Sequence, residues 1–310
     1  MWQHANEVAA ARRGDRPKVR KMRVMHSPPH PFPYRLAAVD IDDTLTGPDK
    51  RIGPANRAAV RRLVAAGCRV VLASGRRHAN MVPIAASLGL DDFVVSAQGA
   101  VVRHASTGQV LHHAPLDRPL AEELIALGFE TGVGLVVFTP EGAFAAAKNG
   151  WTERLNRDTS GDLVYVNRLP PPGVEVIEKV LWCDNPRRLL GELFEPMTAR
   201  YAGPGGLADP AVLRAIVTIT DPHLLEFTSP RATKAAGLAA VAAHYGVEQG
   251  RVLAFGDGNN DVSMLTWAGL GVAMSHASPS AKRAADRVTQ AGDPETSLAR
   301  AIDAVLAEDA

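Results

Sequence analysis

The sequence predicts an α/β protein in which a doubly wound parallel sheet core is interrupted by a smaller α+β domain. Two observations lead to this prediction. Short apolar runs alternate with segments of helical periodicity towards both ends of the chain, as is typical of a parallel sheet covered by helices. Between about residues 108 and 222 this alternation is lost, and proline-rich joints separate the strand and helix signals instead.

The predicted core consists of two segments, residues 34–107 and 223–310. In each segment, apolar runs that end at polar residues alternate with helix-like stretches, and Gly89 is placed to end one of these helices. We therefore expect a Rossmann-like core that the C-terminal segment completes. The strand-like runs are "RLAAVD", "CRVVLA", "DDFVVS", "RVLAF" and "LGVAM", and the clearest helix-like stretches are "GPANRAAVRRLVAAG", "HANMVPIAASLGL" and "TKAAGLAAVAAHYGV".

The first 33 residues differ in character from the rest of the chain. They are basic, end in a proline-rich stretch and lack the apolar h-region of a signal peptide. We interpret residues 1–33 as a disordered tail or as an overlong start, because Met22 and Met25 are alternative start positions.

The composition is that of an ordinary globular protein. Lys plus Arg total 34 against 33 for Asp plus Glu, a formal charge of +1, and aromatic residues make up 5% of the chain. This balance predicts neither a nucleic-acid nor a membrane partner. Cys68 and Cys183 lie in apolar runs, and we expect both to be buried. Because there is no disulfide framework and no apolar run of about 18 residues, the sequence predicts a cytoplasmic protein.

Three of the predicted strands end in loops rich in polar side chains. Ligands of open parallel sheets bind in the crevice outside the carboxyl ends of the strands, so we expect the three loops to line one pocket. The side chains concerned are Asp40, Asp42 and Asp43 after the first strand, Ser74 and Arg76 after the second, and Asp257, Asn260 and Asp261 after "RVLAF".

The residue types in these loops suit phosphate chemistry. Carboxylates held a few ångströms apart raise one another's pKa unless a cation neutralises them, and oxygen ligands of this kind favour Mg²⁺. The ammonium of Lys234 and the hydroxyl of Ser74 suit a phosphate dianion bound beside the metal. In such a site Asp40 is the expected nucleophile. Asp42, two residues further along, is the expected general acid and base.

Each motif alone also has a simpler interpretation. "DIDDTLT" is typical of an acidic surface turn, and "GDGNND" resembles the start of an EF-hand loop. The EF-hand interpretation fails because Val262 stands where the sharp turn needs glycine and Ala268 where the bidentate glutamate belongs. Arg76 keeps two interpretations, a substrate contact or the partner of an acidic neighbour.

Taken together, four segments resemble the motifs of haloacid dehalogenase superfamily phosphatases. In chain order they are "DIDDTLT", "LASGR", Lys234 in "TSPRATKAAGL", and "GDGNNDVSML". Their order and spacing, with the C-terminal "AGLGVAMSHASPSAKRAADRVT", are similar to the Cof-type subfamily. The resemblance extends from about Tyr34 to the C terminus. It departs at Asp43, where the commoner form of the first motif has glycine.

The resemblance implies a role for each site residue. Asp40 would attack phosphorus and become an aspartyl phosphate, and Asp42 would protonate the leaving alcohol and then activate water. The residues that would bind the phosphate and the substrate are Ser74, Gly75, Arg76, Lys234 and Asn260. The residues of the Mg²⁺ site would be Asp40, Asp42 through its main-chain carbonyl, Asp257, and Asp261, which would support the site from behind the direct ligands.

The predicted function is Mg²⁺-dependent hydrolysis of a small phosphomonoester, such as a sugar phosphate, a nucleotide or a phosphorylated cofactor. The resemblance implies that the inserted domain, residues 108–222, is a cap domain that selects the leaving group. Two alternatives stay open: a phosphomutase, and a non-hydrolytic protein on the same fold that binds a phosphorylated metabolite. The partner in every case is a small phosphorylated metabolite.

Overall fold

The computed structural model describes residues 32–159, 161–203 and 213–308. The tail predicted at residues 1–33 lies outside these ranges except for its last two residues. Phe32 is buried against the core, and the carbonyl of Pro33 accepts a hydrogen bond from Arg251 Nε at 2.9 Å, so these two residues are held by the fold. Within the described ranges, no helix combines the length and the apolar character that crossing a membrane requires.

The strands form two separate sheets. Their bounds, in chain order, are β1 Leu36–Asp40, β2 Arg69–Ala73, β3 Phe93–Ser96, β4 Val101–His104, β5 Val110–His113, β6 Gly134–Phe138, β7 Ala143–Ala145, β8 Leu163–Tyr165, β9 Lys179–Cys183, β10 Ile216–Asp221, β11 Leu224–Thr228, β12 Val252–Gly256, β13 Leu270–Ala273 and β14 Arg287–Val288.

The first sheet has eight strands in the order β14-β13-β12-β1-β2-β3-β4-β5. Its strands from β14 to β3 are parallel, and β4 and β5 add an antiparallel hairpin at one edge. All five residues of β1 are buried, as expected for a central strand covered on both faces. β1 lies between β2 and β12, so the chain winds outwards from β1 in both directions. The predicted doubly wound parallel core is confirmed.

The helices begin and end where the sequence favours it. Pro54 opens the first helix, and the second ends at Gly89 as predicted, because Gly89 adopts a left-handed φ of 73°. The helix bounds are α1 Pro54–Ala65, α2 His78–Leu88, α3 Arg118–Thr131, α4 Gly150–Asp158, α5 Pro186–Arg188, α6 Phe194–Ala202, α7 Lys234–Tyr245, α8 Val262–Trp267, α9 Pro279–Ala284 and α10 Ser297–Ala307.

The second sheet has six strands in the order β10-β11-β9-β6-β7-β8, and its pairs are antiparallel except for β7 with β8. Side chains of β9 alternate between its two faces. Val180 and Trp182 pack with residues of α3, whereas Leu181 packs with Leu155 of α4 on the opposite face. The face that carries α4 is the one that meets the first sheet across a cavity.

The chain passes from the first sheet to the second, and back to the first, at positions that differ from the predicted domain boundaries. β5 extends the first sheet to His113, beyond the expected limit at residue 107, and β11 keeps the second sheet going to Thr228, beyond residue 222. In both places a hairpin spans the boundary. Pro222 lies in the tight turn between β10 and β11 and so does not mark a joint between domains.

Gly99 offers a test of how the loop after β3 meets the helix that begins at Lys234. A Cβ on Gly99 would lie 2.0 Å from the backbone oxygen of Thr233, and φ at Gly99 is +95°. We expect Gly99→Ala to lower the free energy of unfolding by about 3 to 5 kcal/mol.

Gly89→Ala is the matched control, because φ is +73° there and nothing lies within 4 Å of the added carbon. It should cost about 1 to 2 kcal/mol. Urea unfolding of both variants measures the difference. Equal losses of unfolding free energy in the two variants would show that the Thr233 backbone moves to accommodate the new methyl group.

Candidate active site

The three polar loops converge at the carboxyl ends of adjacent strands. Asp40 is the last residue of β1, Ser74 follows β2, and Asp257 follows β12. They line one cavity of about 480 Å³ that the second sheet closes from the other side. The predicted pocket is therefore present, at the point where strands are added on opposite sides of β1. The predicted site residues that line it are Asp40, Asp42, Ser74, Gly75, Arg76, Asp257 and Asn260.

Lys234, at the start of α7, binds two carboxylates beneath the cavity. Its Nζ lies 2.5 Å from Asp40 Oδ1 and 2.5 Å from Asp261 Oδ1, and the ammonium is completely buried. Burial alone would lower the pKa of Lys234, but the negative charges of Asp261 and Asp40 outweigh it and raise the pKa above its usual value. Lys234 therefore stays charged, and it ties β1 to the loop after β12.

Three aspartates form an acidic cluster at this point. Asp40, Asp257 and Asp261 each place one carboxylate oxygen within 4.8 Å of the others. Burial and the charge of Asp261 raise the pKa of Asp257 to about 6, and the same two causes raise the pKa of Asp40. A cation bound among them would relieve this repulsion. The cluster is thus suited to a divalent metal, since its donors are all hard oxygens.

The two oxygens of Asp261 are already in use. Oδ1 accepts from Lys234, while Oδ2 accepts from the main-chain N–H groups of Asp257 at 2.9 Å and Gly258 at 2.8 Å. A Cβ on Gly256 would lie 2.6 Å from Asp261 Cγ, which explains the glycine there. Asp261 therefore shapes the loop that presents Asp257.

Asp42 lies outside the acidic cluster. Both of its oxygens accept hydrogen bonds from the guanidinium of Arg76, at 2.9 Å from Nε and 2.7 Å from Nη2. Burial would raise the pKa of Asp42, but the Arg76 pair lowers it overall. Of the two interpretations of Arg76, the structure shows the acidic neighbour. The next residue, Asp43, has a φ of 62° in the left-handed region, which is where glycine is favoured.

Four further polar residues belong to the site although the sequence did not single them out. Thr44 donates from Oγ1 to Asp257 Oδ1 at 2.7 Å, a contact that the position of Thr44 within "DIDDTLT" made accessible to prediction. Gln98, Lys179 and Glu226 line the cavity as well. The only signal for Lys179 and Glu226 was a charge inside an apolar run, in "KVLWC" and "LLEFT".

The side of the cavity formed by the second sheet and its helices combines apolar, basic and acidic groups. Phe138 and Leu181 contribute apolar surface, and α4 contributes Trp151, Arg154 and Leu155. Trp151 stacks on His223, with ring centroids 5.0 Å apart. The side that faces the carboxylates of the first sheet therefore offers aromatic and aliphatic surface, arginine, and the acidic groups of Asp158, Asp221 and Glu226.

Comparison with known proteins identifies the class. The sequence profile of the haloacid dehalogenase-like hydrolases matches residues 37–302, and the chain belongs to this family. The HMP-PP phosphatase of Serratia proteamaculans is 30% identical over 252 residues, covering 80% of this chain and 86% of the relative. Phosphatase YwpJ of Bacillus subtilis is 26% identical over 281 residues, covering 84% and 95%.

A solved structure supports the fold. The haloacid dehalogenase-like hydrolase from Bacteroides thetaiotaomicron has a TM-score of 0.74 at 24% identity, covering 88% of this chain and 99% of that one. Within the family the chain is a Cof-type hydrolase, and it is a phosphatase. The class of protein predicted from the four motifs is confirmed.

Removing the buried ammonium should destabilise the fold strongly. Lys234→Met leaves two buried carboxylates without their cation, so we expect a loss of about 3 to 5 kcal/mol in the free energy of unfolding. Lys50→Met is the control, because Lys50 pairs with Asp43 but its side chain is 52% exposed. That pair should contribute less than about 1 kcal/mol. Urea unfolding compares the two, and similar losses would contradict the role given to Lys234.

Proposed function

We propose that the protein is a Mg²⁺-dependent phosphatase that hydrolyses a small phosphomonoester through an aspartyl phosphate on Asp40. The observation that carries the proposal is the placement of Asp40. Its Oδ1 is held by Lys234, while its Oδ2 has no hydrogen-bond partner among the described residues and Asp40 lines the cavity. A carboxylate oriented by one oxygen and open at the other is suited to nucleophilic attack.

The metal would be held by carboxylates of Asp40 and Asp257 together with the main-chain carbonyl of Asp42. The fit is supported by the all-oxygen donor set and by the pKa of Asp257, which burial and the charge of Asp261 raise and which a bound cation would lower. When bound, Mg²⁺ supplies positive charge that offsets the charge of the phosphoryl oxygens. Thr44 assists by holding one oxygen of Asp257.

The reaction proceeds in two displacements at phosphorus. Asp40 Oδ2 forms a bond to phosphorus as the ester P–O bond breaks, and the leaving oxygen takes a proton from Asp42. A water molecule then gives its proton to Asp42 and attacks phosphorus, and the bond to Asp40 breaks to release inorganic phosphate. Ser74, which lines the cavity, stabilises the phosphoryl oxygens in both displacements, and the ammonium of Lys234 adds its positive charge from beneath Asp40.

Asp42 must first separate from Arg76. While both of its oxygens accept from the guanidinium, the carboxyl stays ionised and cannot donate a proton. The pair therefore represents a resting arrangement in which the acid is held beside the site. Arg76, once released, is placed to meet a phosphate oxygen, so that both interpretations of Arg76 apply at different stages.

The substrate is a small phosphorylated metabolite. A cavity of about 480 Å³ is within the range of small-molecule sites. Relatives named as HMP-PP phosphatases and a structural neighbour named as a sugar phosphatase support this class. The panel to test therefore contains HMP-PP, sugar phosphates, nucleotides and phosphorylated cofactors, with p-nitrophenyl phosphate as a generic substrate.

Phosphate release in the presence of Mg²⁺ or EDTA tests the proposal. Wild type should release phosphate with Mg²⁺ but not with EDTA. Asp40→Asn should lower kcat at least about a thousandfold, because the nucleophile is gone. Isomerised sugar phosphate without released phosphate would instead indicate a phosphomutase. Ligand-induced thermal shifts without any turnover would indicate a binding protein.

Asp257→Asn tests the metal site separately. Losing one charged ligand should raise the Mg²⁺ concentration for half-maximal activity at least about tenfold and remove the stabilisation that Mg²⁺ gives in thermal unfolding without substrate. Asp43→Asn is the control, because Asp43 is also an acid at the cavity but lies outside the cluster. Equal effects in the two variants would place the metal elsewhere.

A further inference from the structure

A chain of buried polar groups links the second sheet to Asn260. Glu226 of β11 accepts from Gln98 Nε2 at 2.9 Å, and Gln98 Oε1 in turn accepts from Asn260 Nδ2 at 3.0 Å. Lys179 of β9 donates to Glu226 at 3.0 Å and to the carbonyl of Gly75 at 2.9 Å. We call Lys179, Glu226, Gln98 and Asn260 the Glu226 chain.

The ion pair in this chain is unusual for its burial. Lys179 is 1% exposed and Glu226 is 4% exposed, although both line the cavity. A buried ion pair offers little stability over an apolar pair unless its hydrogen bonds are all made. Here most of them are: Glu226 also accepts from Thr220 Oγ1 at 2.9 Å, and Lys179 makes two hydrogen bonds and lies 4.7 Å from the centroid of the Phe138 ring. The geometry is therefore fixed, and what it fixes is the side chain of Gln98.

Gln98 has one orientation available. The carboxylate of Glu226 only accepts hydrogen bonds, so the amide nitrogen of Gln98 must face it and the amide oxygen must face Asn260. The backbone of Gln98 has a φ of 63°, and its N–H donates to the carbonyl of Ser74 at 3.1 Å. A Cβ on Gly75 would lie 2.4 Å from Gln98 Nε2, so Gly75 is needed for this packing.

Gln98 in turn fixes the orientation of the Asn260 amide. One N–H of its amide is used by Gln98, and the other has no partner among the described residues. Because Asn260 lines the same cavity as Asp40, this second N–H is available to an oxygen of the substrate. If Asn260 were turned over, its oxygen would meet the oxygen of Gln98, which is unfavourable.

We propose that Glu226 and Gln98 are positioning residues that orient the Asn260 amide as a hydrogen-bond donor to a substrate oxygen. This orientation requires Glu226, which belongs to the second sheet. The Asn260 amide is therefore oriented only when the second sheet packs against the first. This inference rests on the proposed phosphatase function, and it adds two residues that act through Asn260 and do not touch the reacting atoms.

Reversing the polarity of the pair tests the proposal. Gln98→Glu places two carboxylates face to face, and we expect kcat to fall by about tenfold or more. The double variant Gln98→Glu with Glu226→Gln restores a donor opposite an acceptor and keeps an oxygen towards Asn260. It should recover kcat to within about threefold of wild type.

A second experiment tests whether the effect of Gln98→Glu on kcat depends on Asn260. In an Asn260→Ala background, Gln98→Glu should lower kcat by no more than about twofold, because groups that act as a unit are not additive. Asp184→Asn is the matched control in the second sheet, since it removes a partner of Arg188 outside the cavity lining. It should shift Tm without lowering kcat.

Several outcomes would overturn the proposal. They are a double variant as slow as the worse single variant, or the same loss from Gln98→Glu with and without Asn260. If Gln98→Glu does not fold, Gln98→Met removes both hydrogen bonds at nearly constant length and enters the Asn260→Ala comparison in its place. Failure of the proposed function is distinguishable, because wild type would then release no phosphate and Asp40→Asn would change nothing.

Discussion

The buried ammonium of Lys234 is the interaction on which the rest of the site depends. It pairs with the carboxylates of Asp40, at the end of β1, and of Asp261, in the loop after β12, and without it these buried groups would have no cation between them. Its second partner, Asp261, then holds the main-chain N–H groups that shape the loop of Asp257. One cation thus sets the position of Asp40, the proposed nucleophile, and, through Asp261, that of Asp257, the proposed metal ligand.

Close packing around these carboxylates explains why glycine recurs in the loops. Gly256 leaves room for Asp261, and Gly75 leaves room for the amide of Gln98. Neither glycine is required by a left-handed φ, since the space is what an added Cβ would fill. Gly75 of "LASGR" is therefore required by a side chain from another segment, whereas Gly256 and Gly258 of "FGDG" are required by Asp261 and Asn260 of their own loop.

The fold was predictable because its signals are local. The periodicity of β1, α1 and the strands and helices that continue this alternation is enough to indicate a parallel core. Polar side chains at the ends of the strands indicate a pocket. The pairing of Asp42 with Arg76 was not predictable beyond two interpretations, since it depends on how two loops approach. Glu226 and Lys179 were missed because their burial depends on partners about 50 to 130 residues away. The end of the inserted domain was placed only approximately, at residue 222, because the turn of a hairpin and a joint between domains share the same residue types.

The second sheet reaches the loop after β2 on both sides of Arg76. Lys179 binds the carbonyl of Gly75 on one side. On the other, Asn80 donates to the carbonyl of Thr159 at 2.8 Å, and Arg77 pairs with Asp162. Any separation of the sheets must break contacts at each end of this short segment. Arg76 lies between these contacts and holds Asp42, so a movement that separated the sheets would also disturb the pair between Arg76 and Asp42, the proposed proton donor.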